Sequence, residues 1–133
     1  PQFSHGLYGN SEPRSEVYEI VKPIFATLNP FAIHRVKFNA TSRTTEIKEK
    51  PLHVDITGPS DSPEPPFENI PDYHICVIYF NDNNGYTYFE DGQKVVSKEN
   101  RAVIFPGNFL HAGTSCTDAS LRVVLNIDYS KWC

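Results

Sequence analysis

Basic residues, cysteines and long apolar runs are all scarce in this chain, and each shortage argues against a class of protein. Twelve Lys and Arg stand against 16 Asp and Glu, a net charge of −4 with a pI near 5.7. That is the wrong sign for a protein whose affinity comes from neutralising phosphates, so nucleic acid is not an expected partner. Cys76, Cys116 and Cys133 are an odd number without CxxC spacing, which argues against a disulfide framework and a zinc knot and for a reducing, cytoplasmic setting. No apolar run approaches the ~20 residues of a membrane helix, and the opening PQFSHGLYGN lacks the basic-then-apolar order of a secretory leader. Methionine is absent altogether. A length of 133 residues fits one domain, 1–133, able to bury a core without disulfide or metal staples.

What the chain does contain is patterned. Val17, Ile20, Val21, Ile24, Phe25 and Leu28 recur at helical spacing behind Ser15 as N-cap, which predicts one amphipathic helix over 15–28, kinked or shortened at Pro23 and packed on a sheet. From about Ala32 to Tyr129 the texture becomes β-branched and aromatic with turn residues between. Strands are expected at Ala32–Asn39, Leu52–Ile56, His74–Asn81, Thr87–Glu90, Gln93–Val96, Arg101–Phe105 and Leu121–Tyr129. Asp82-Asn83-Asn84-Gly85, Asp91-Gly92 and Pro106-Gly107-Asn108 read as tight turns joining successive antiparallel strands. The fold class is mainly β, a sandwich or closed jelly roll with an N-terminal supporting helix. His5 falls in a start expected to be flexible. Thr57–Pro71 carries five of the eleven prolines and cannot be a ladder strand; it reads as a long loop, either a spacer or a lid beside Asp55.

Chemistry concentrates around the histidines. His53-Val54-Asp55 places an imidazole and a carboxylate two positions apart, on one face of the expected strand. His111 follows 58 positions later in FPGNFLHAG. Two histidines and one carboxylate make the facial triad that leaves coordination sites open on Fe(II) for oxygen chemistry. Arg122 opens the strong strand LRVVLNIDY. A guanidinium inside an apolar barrel is costly unless an anion pairs with it; that anion is either a cosubstrate or an internal carboxylate such as Asp128. His34 and His74 lack a carboxylate at ligand spacing and read as structural.

Taken together, His53, Asp55, His111 and Arg122 in a mainly β domain resemble the Fe(II)- and 2-oxoglutarate-dependent dioxygenases, especially their prolyl 4-hydroxylase-like branch. CVIYFN (76–81) is similar to the strand after the family's HxD motif, which implies that Tyr79 helps hold the distal carboxylate of 2-oxoglutarate. Asn83 to Phe89 resembles the family's Gly-Gly-x-Thr-x-Phe stretch with one glycine of the pair missing, and puts Thr87 among the cosubstrate contacts. RVKFN (35–39) resembles the strand that sets a polar group over 2-oxoglutarate, which points to Asn39. RVKFN, HVD and NGYTYFEDG also look like the small bacteriophage members, for which the location is the host cytoplasm.

The resemblance implies Fe(II) on His53, Asp55 and His111, and 2-oxoglutarate chelated to it with its far carboxylate on Arg122 and Tyr79. Oxygen is then the second cosubstrate, succinate and carbon dioxide are coproducts, and ascorbate is a conceivable reductant. The substrate is a peptide, with peptidyl proline the obvious case, or a small molecule; the protein is expected as a monomer or dimer. Metal binding needs a neutral imidazole and an ionised Asp55, so activity should fall in mild acid. Rival readings are a non-catalytic jelly-roll binding module and a nucleobase-oxidising member of the same superfamily, the latter disfavoured by the acidic charge balance. A cupin-like metal protein without 2-oxoglutarate lacks support, since the cupin His-x-His with a following Glu is absent.

Overall fold

A computed structural model describes residues 2–9, 12–55 and 73–132. They form strands β1 (Gln2–Gly9), β2 (Glu12–Pro13), β3 (Ala32–Ser42), β4 (Tyr73–Tyr79), β5 (Tyr86–Phe89), β6 (Lys94–Val96), β7 (Ala102–Pro106), β8 (His111–Gly113) and β9 (Leu121–Ser130), with helices α1 (Val17–Val21) and α2 (Ile24–Leu28). Six strands make one antiparallel sheet in the order β2-β1-β3-β9-β4-β7, and three make a second, β6-β5-β8. Isolated bridges at Glu49–Thr114 and His53–His111 attach residues 49–53 to the β8 edge. The chain crosses between sheets after β4, β6, β7 and β8, which is the jelly-roll manner of closing two sheets over one core.

The mainly β fold is the one expected, and the central strands explain why it was legible. β4 is apolar on both faces, and β9 on one, because the two faces of the sheet pack on different partners. One face, with Val36, Cys76, Leu125, Ile127 and Tyr129, meets Tyr18 and Val21 of α1 and Leu7 of β1. The other, with Ile75, Val77, Tyr79 and Val124, meets Phe89 and Phe105. The inner face of β3 and β9 turns polar along its length: Thr41 opposes Arg122, Asn39 Val124, Lys37 Asn126 and Arg35 Asp128. That polar stripe is where the site forms.

Several local expectations are corrected. The helical span is two helices rather than one, because Pro23 has no N–H to continue the ladder and becomes the N-cap of α2. Ser15 still caps, its Oγ accepting the Val17 N–H at 3.2 Å, although the first helical cap residue is Glu16. The N-terminal segment is not a flexible start: β1 pairs with β3 from Gln2–Thr41 to Tyr8–Val36, and Leu7 is fully buried. One buried apolar residue in eight gave an edge strand too little periodicity to be seen. Leu52–Ile56 is not a strand; it reduces to the bridge at His53, with Asp55 in a bend. Residues 82–85 and 106–108 are not hairpin turns but lie on crossovers between the two sheets, whereas Asp91-Gly92 does join paired strands β5 and β6. Gly92 takes the left-handed conformation there, at φ 89°. The loop expected at Thr57–Pro71, the end of the Leu52–Ile56 segment and Cys133 lie outside the described residues. Among the described residues no helix is long and apolar enough to cross a membrane.

Candidate functional site

His53 and His111 are brought together by backbone pairing. Each donates its N–H to the other's carbonyl, at 2.9 and 3.1 Å, and the rings lie 4.8 Å apart. Both imidazoles are oriented the same way, with Nδ1 on a carbonyl two residues back: Pro51 O at 3.1 Å for His53 and Phe109 O at 3.0 Å for His111. A carbonyl can only accept, so Nδ1 carries a hydrogen in both rings, which leaves Nε2 as the atom that meets Asp55 or a metal. Both Nε2 atoms converge on Asp55 Oδ1, at 3.3 Å from His53 and 3.0 Å from His111. One ligand atom from each of the three residues falls within 4.8 Å of the others. Three acceptors this close repel unless a cation, proton or metal, lies among them. The donor set, two imidazoles and one carboxylate, fits a divalent transition metal with open sites.

Electrostatics agree with that geometry. Burial works to raise the Asp55 carboxyl, but hydrogen bonds from His111, His53 and Asp128 outweigh it and hold it well below the usual carboxylate range. The same contact with Asp55 raises His53 against its partial burial. The second Asp55 oxygen faces Arg35, whose Nη2 lies 3.3 Å from Oδ2 and 3.0 Å from Asp128 Oδ2. A bulge in β3 between Ile33 and Arg35 sets Arg35 opposite Asp128. Asp128 is fully buried, and burial followed by the Asp55 charge pushes its carboxyl well up, so it is the member of the pair suited to hold a proton.

Arg122 lies deeper, 4% exposed. Its Nε donates to Ser97 Oγ at 3.0 Å and its Nη2 to Thr87 Oγ1 at 3.3 Å, and the guanidinium carbon stands 5.6 Å from the Tyr79 ring centre. Tyr79 in turn donates its hydroxyl to Thr87 Oγ1 at 2.7 Å. Tyr79, Thr87 and Arg122 therefore form one connected polar cluster. Among the described residues no carboxylate pairs with Arg122; Asp128, the internal alternative, pairs with Arg35 instead. Burial of this unpaired charge lowers the Arg122 pKa. Two glycines make room for it: a Cβ on Gly113 would come within 3.1 Å of Nη1, and one on Gly85 within 2.6 Å of Cδ.

The triad and Arg122 line a single cavity of about 100 Å³, together with Lys37, Asn39, Thr41, Lys50, Thr87 and Asn126. Asn39 Oδ1 is engaged by β1, accepting from Ser4 Oγ at 2.8 Å and Gln2 Nε2 at 3.2 Å. Sequence reasoning placed His53, Asp55, His111, Arg122, Tyr79, Thr87 and Asn39 in this region, offered Asp128 only as a partner of Arg122, and missed Arg35, Lys37, Lys50 and Ser97 as its neighbours. The alternation Arg35, Lys37, Asn39, Thr41 was the available signal for part of that set, since every second residue of a strand shares a face. His34 and His74 stay outside the cavity; His34 Nε2 meets Ser130 Oγ at 2.8 Å, and the His74 ring lies against Tyr129.

No protein-family model and no curated protein matches the chain in sequence. Solved structures match it in shape. A viral collagen prolyl hydroxylase from Paramecium Bursaria Chlorella virus-1 has a TM-score of 0.57 and 13% identity, covering 97% of this chain and 75% of that one. A cupin superfamily protein from Desulfitobacterium hafniense gives 0.54 and 8%, covering 98% and 79%. The fold is a cupin-type jelly roll. The cupin domain of an XRE family transcriptional regulator from Enterobacter cloacae shares this fold at a TM-score of 0.52 and 10% identity, covering 98% of both chains. An enzyme and a regulator domain thus fit the same fold, so activity depends on the site and not on the fold.

Proposed function

We propose that the chain is an Fe(II)- and 2-oxoglutarate-dependent dioxygenase that hydroxylates an organic substrate. The observation that supports this reading most is Arg122: a buried guanidinium without an anionic partner among the described residues, in the same cavity as a two-histidine, one-carboxylate cluster. A module that only binds metal has no use for that charge. His53, Asp55 and His111 would hold the metal, with Nδ1 hydrogen bonds fixing the tautomers and Arg35 holding Asp55 so that one oxygen faces it. Arg122, with Thr87 and Tyr79 beside it, would hold the distal carboxylate of 2-oxoglutarate, and Asn39 would flank the cosubstrate from β3. When bound, iron and 2-oxoglutarate supply the oxidising chemistry, coupling loss of carbon dioxide and formation of succinate to hydroxylation by O2. The residues of the chain position ligands and exclude water. The family resemblance makes a prolyl residue of a peptide one substrate class and a small molecule the other.

The test is an anaerobic titration of the protein with Fe(II) and 2-oxoglutarate, read by the visible charge-transfer band of the chelated keto acid. A band that disappears in Arg122→Met at equal 2-oxoglutarate supports the proposal. Iron binding without a band refutes it and leaves a metal centre of another kind; absence of both favours a binding module like the regulator domain.

A further inference from the structure

The cavity holds more positive charge than metal and 2-oxoglutarate account for. Lys37, Lys50 and Arg122 line it, and Arg35 closes one side through Asp55 and Asp128. Those two carboxylates are its only resident acids among the described residues. Even with both ionised, four cationic side chains leave the cavity at +2. A divalent metal raises this to +4, and the dianion of 2-oxoglutarate returns it to +2, so positive charge is left over among the described residues.

Lys37 locates the excess. It stands opposite Asn126 in the β3–β9 register, between Arg35 and Asn39 on the inward face. Lys50 has a partner, Thr41 Oγ1 at 3.5 Å, but the Lys37 ammonium has neither hydrogen bond nor ion pair among the described residues. It is half-buried, and burial followed by the charge of Arg35 lowers its pKa. An ammonium drawn from water is costly by itself and becomes favourable when an anion pairs with it.

Resting on the dioxygenase reading above, we propose that Lys37 receives a free carboxylate of the primary substrate, which is a small organic or amino acid rather than a residue within a peptide chain. A carboxylate at Lys37 has two sources, the primary substrate and the metal-side end of 2-oxoglutarate, and the test separates them. Manganese-loaded protein saturated with 2-oxoglutarate is titrated calorimetrically with the proteinogenic L-amino acids and short monocarboxylic acids, each beside its carboxamide. In wild type at least one acid should bind, and its carboxamide about tenfold or more weakly. Lys37→Gln should abolish that difference while 2-oxoglutarate affinity stays within about threefold; Lys37→Arg, which keeps the charge, should retain it. Acid and amide binding alike, or no acid binding up to about 10 mM, overturns the proposal. So does a loss of 2-oxoglutarate affinity of about tenfold or more in Lys37→Gln, which would assign the lysine to the cosubstrate. If wild type binds no 2-oxoglutarate in the first stage, before any acid is added, the dioxygenase reading fails instead.

Discussion

Replacing Arg122 by methionine keeps most of the side-chain volume and removes the guanidinium, so the change isolates charge recognition from packing. In the protein as it stands the guanidinium spends Nε on Ser97 Oγ and Nη2 on Thr87 Oγ1, and Nη1 faces the space kept open by Gly113. Removing one partner of a desolvated, hydrogen-bonded charge pair typically costs about 2–5 kcal/mol of binding. Lys50 lines the same cavity and its charge acts on Arg122, so it supplies part of the attraction after the substitution. The lower half of the range applies, roughly 2–3 kcal/mol, or about 30- to 150-fold in the dissociation constant of 2-oxoglutarate. Metal affinity should be unchanged within about threefold, because the ligands His53, Asp55 and His111 make no contact with Arg122. Calorimetry of 2-oxoglutarate into manganese-loaded wild type and Arg122→Met under argon measures both quantities. A folded variant that binds 2-oxoglutarate as wild type does would refute the assignment of Arg122. Equal losses of metal and keto-acid affinity would refute the separation of the two halves of the site.

Asp55→Ala removes the oxygen on which both Nε2 atoms converge and should weaken Mn(II) or Zn(II) binding by more than about 100-fold, beyond the loss typical of an outer partner; wild-type affinity by chelator competition would sink the ligand assignment. Asp128→Asn changes the outer contacts to Arg35 and Asp55 without removing a ligand and should cost roughly tenfold in the same assay; unchanged affinity would contradict this. Gly85→Ala places a Cβ 2.6 Å from Arg122 Cδ and 2.8 Å from the Ser115 carbonyl, so chemical unfolding should show a loss of about 1–3 kcal/mol, together with weaker 2-oxoglutarate binding. Burial holds the pKa of His34 below its ordinary 6.5, so the unfolded chain takes up the proton first. The His34 contribution is intact above about pH 7, falls as pH drops through 6.5, and levels off below the folded-state pKa. His34→Gln should therefore flatten the acid side of the stability profile relative to wild type, and parallel profiles would count against this account.

How much of this was legible depends on where each signal lives. The central strands announced themselves, because apolar and aromatic residues dominate 73–79 and fill every second position of 121–129. The edge strand Gln2–Gly9 did not, since it buries Leu7 and little else. Pro23 marked its own break, because a missing N–H is a local fact. The crossover at 82–85 looked like a hairpin turn because turn residues report a change of chain direction and not which sheet the chain enters next.

The composition, the β-rich texture and the residues His53, Asp55, His111 and Arg122 could be read from the chain, since residue type and short-range periodicity are properties of the sequence itself. Their meeting could not. The pairing of His53 with His111 spans 58 positions, and the apposition of Arg35, Lys37 and Asn39 with Asn126 and Asp128 needs the long-range register of β3 on β9. A one-residue slip in that register would turn each of those side chains to the helix-covered face. Tertiary structure alone decided that Arg35 would meet Asp55 and Asp128, and that Arg122 and Lys37 would face the cavity without an acid among the described residues. Which charges are paired depends on distances across the fold, and the order of residues along the chain does not state them.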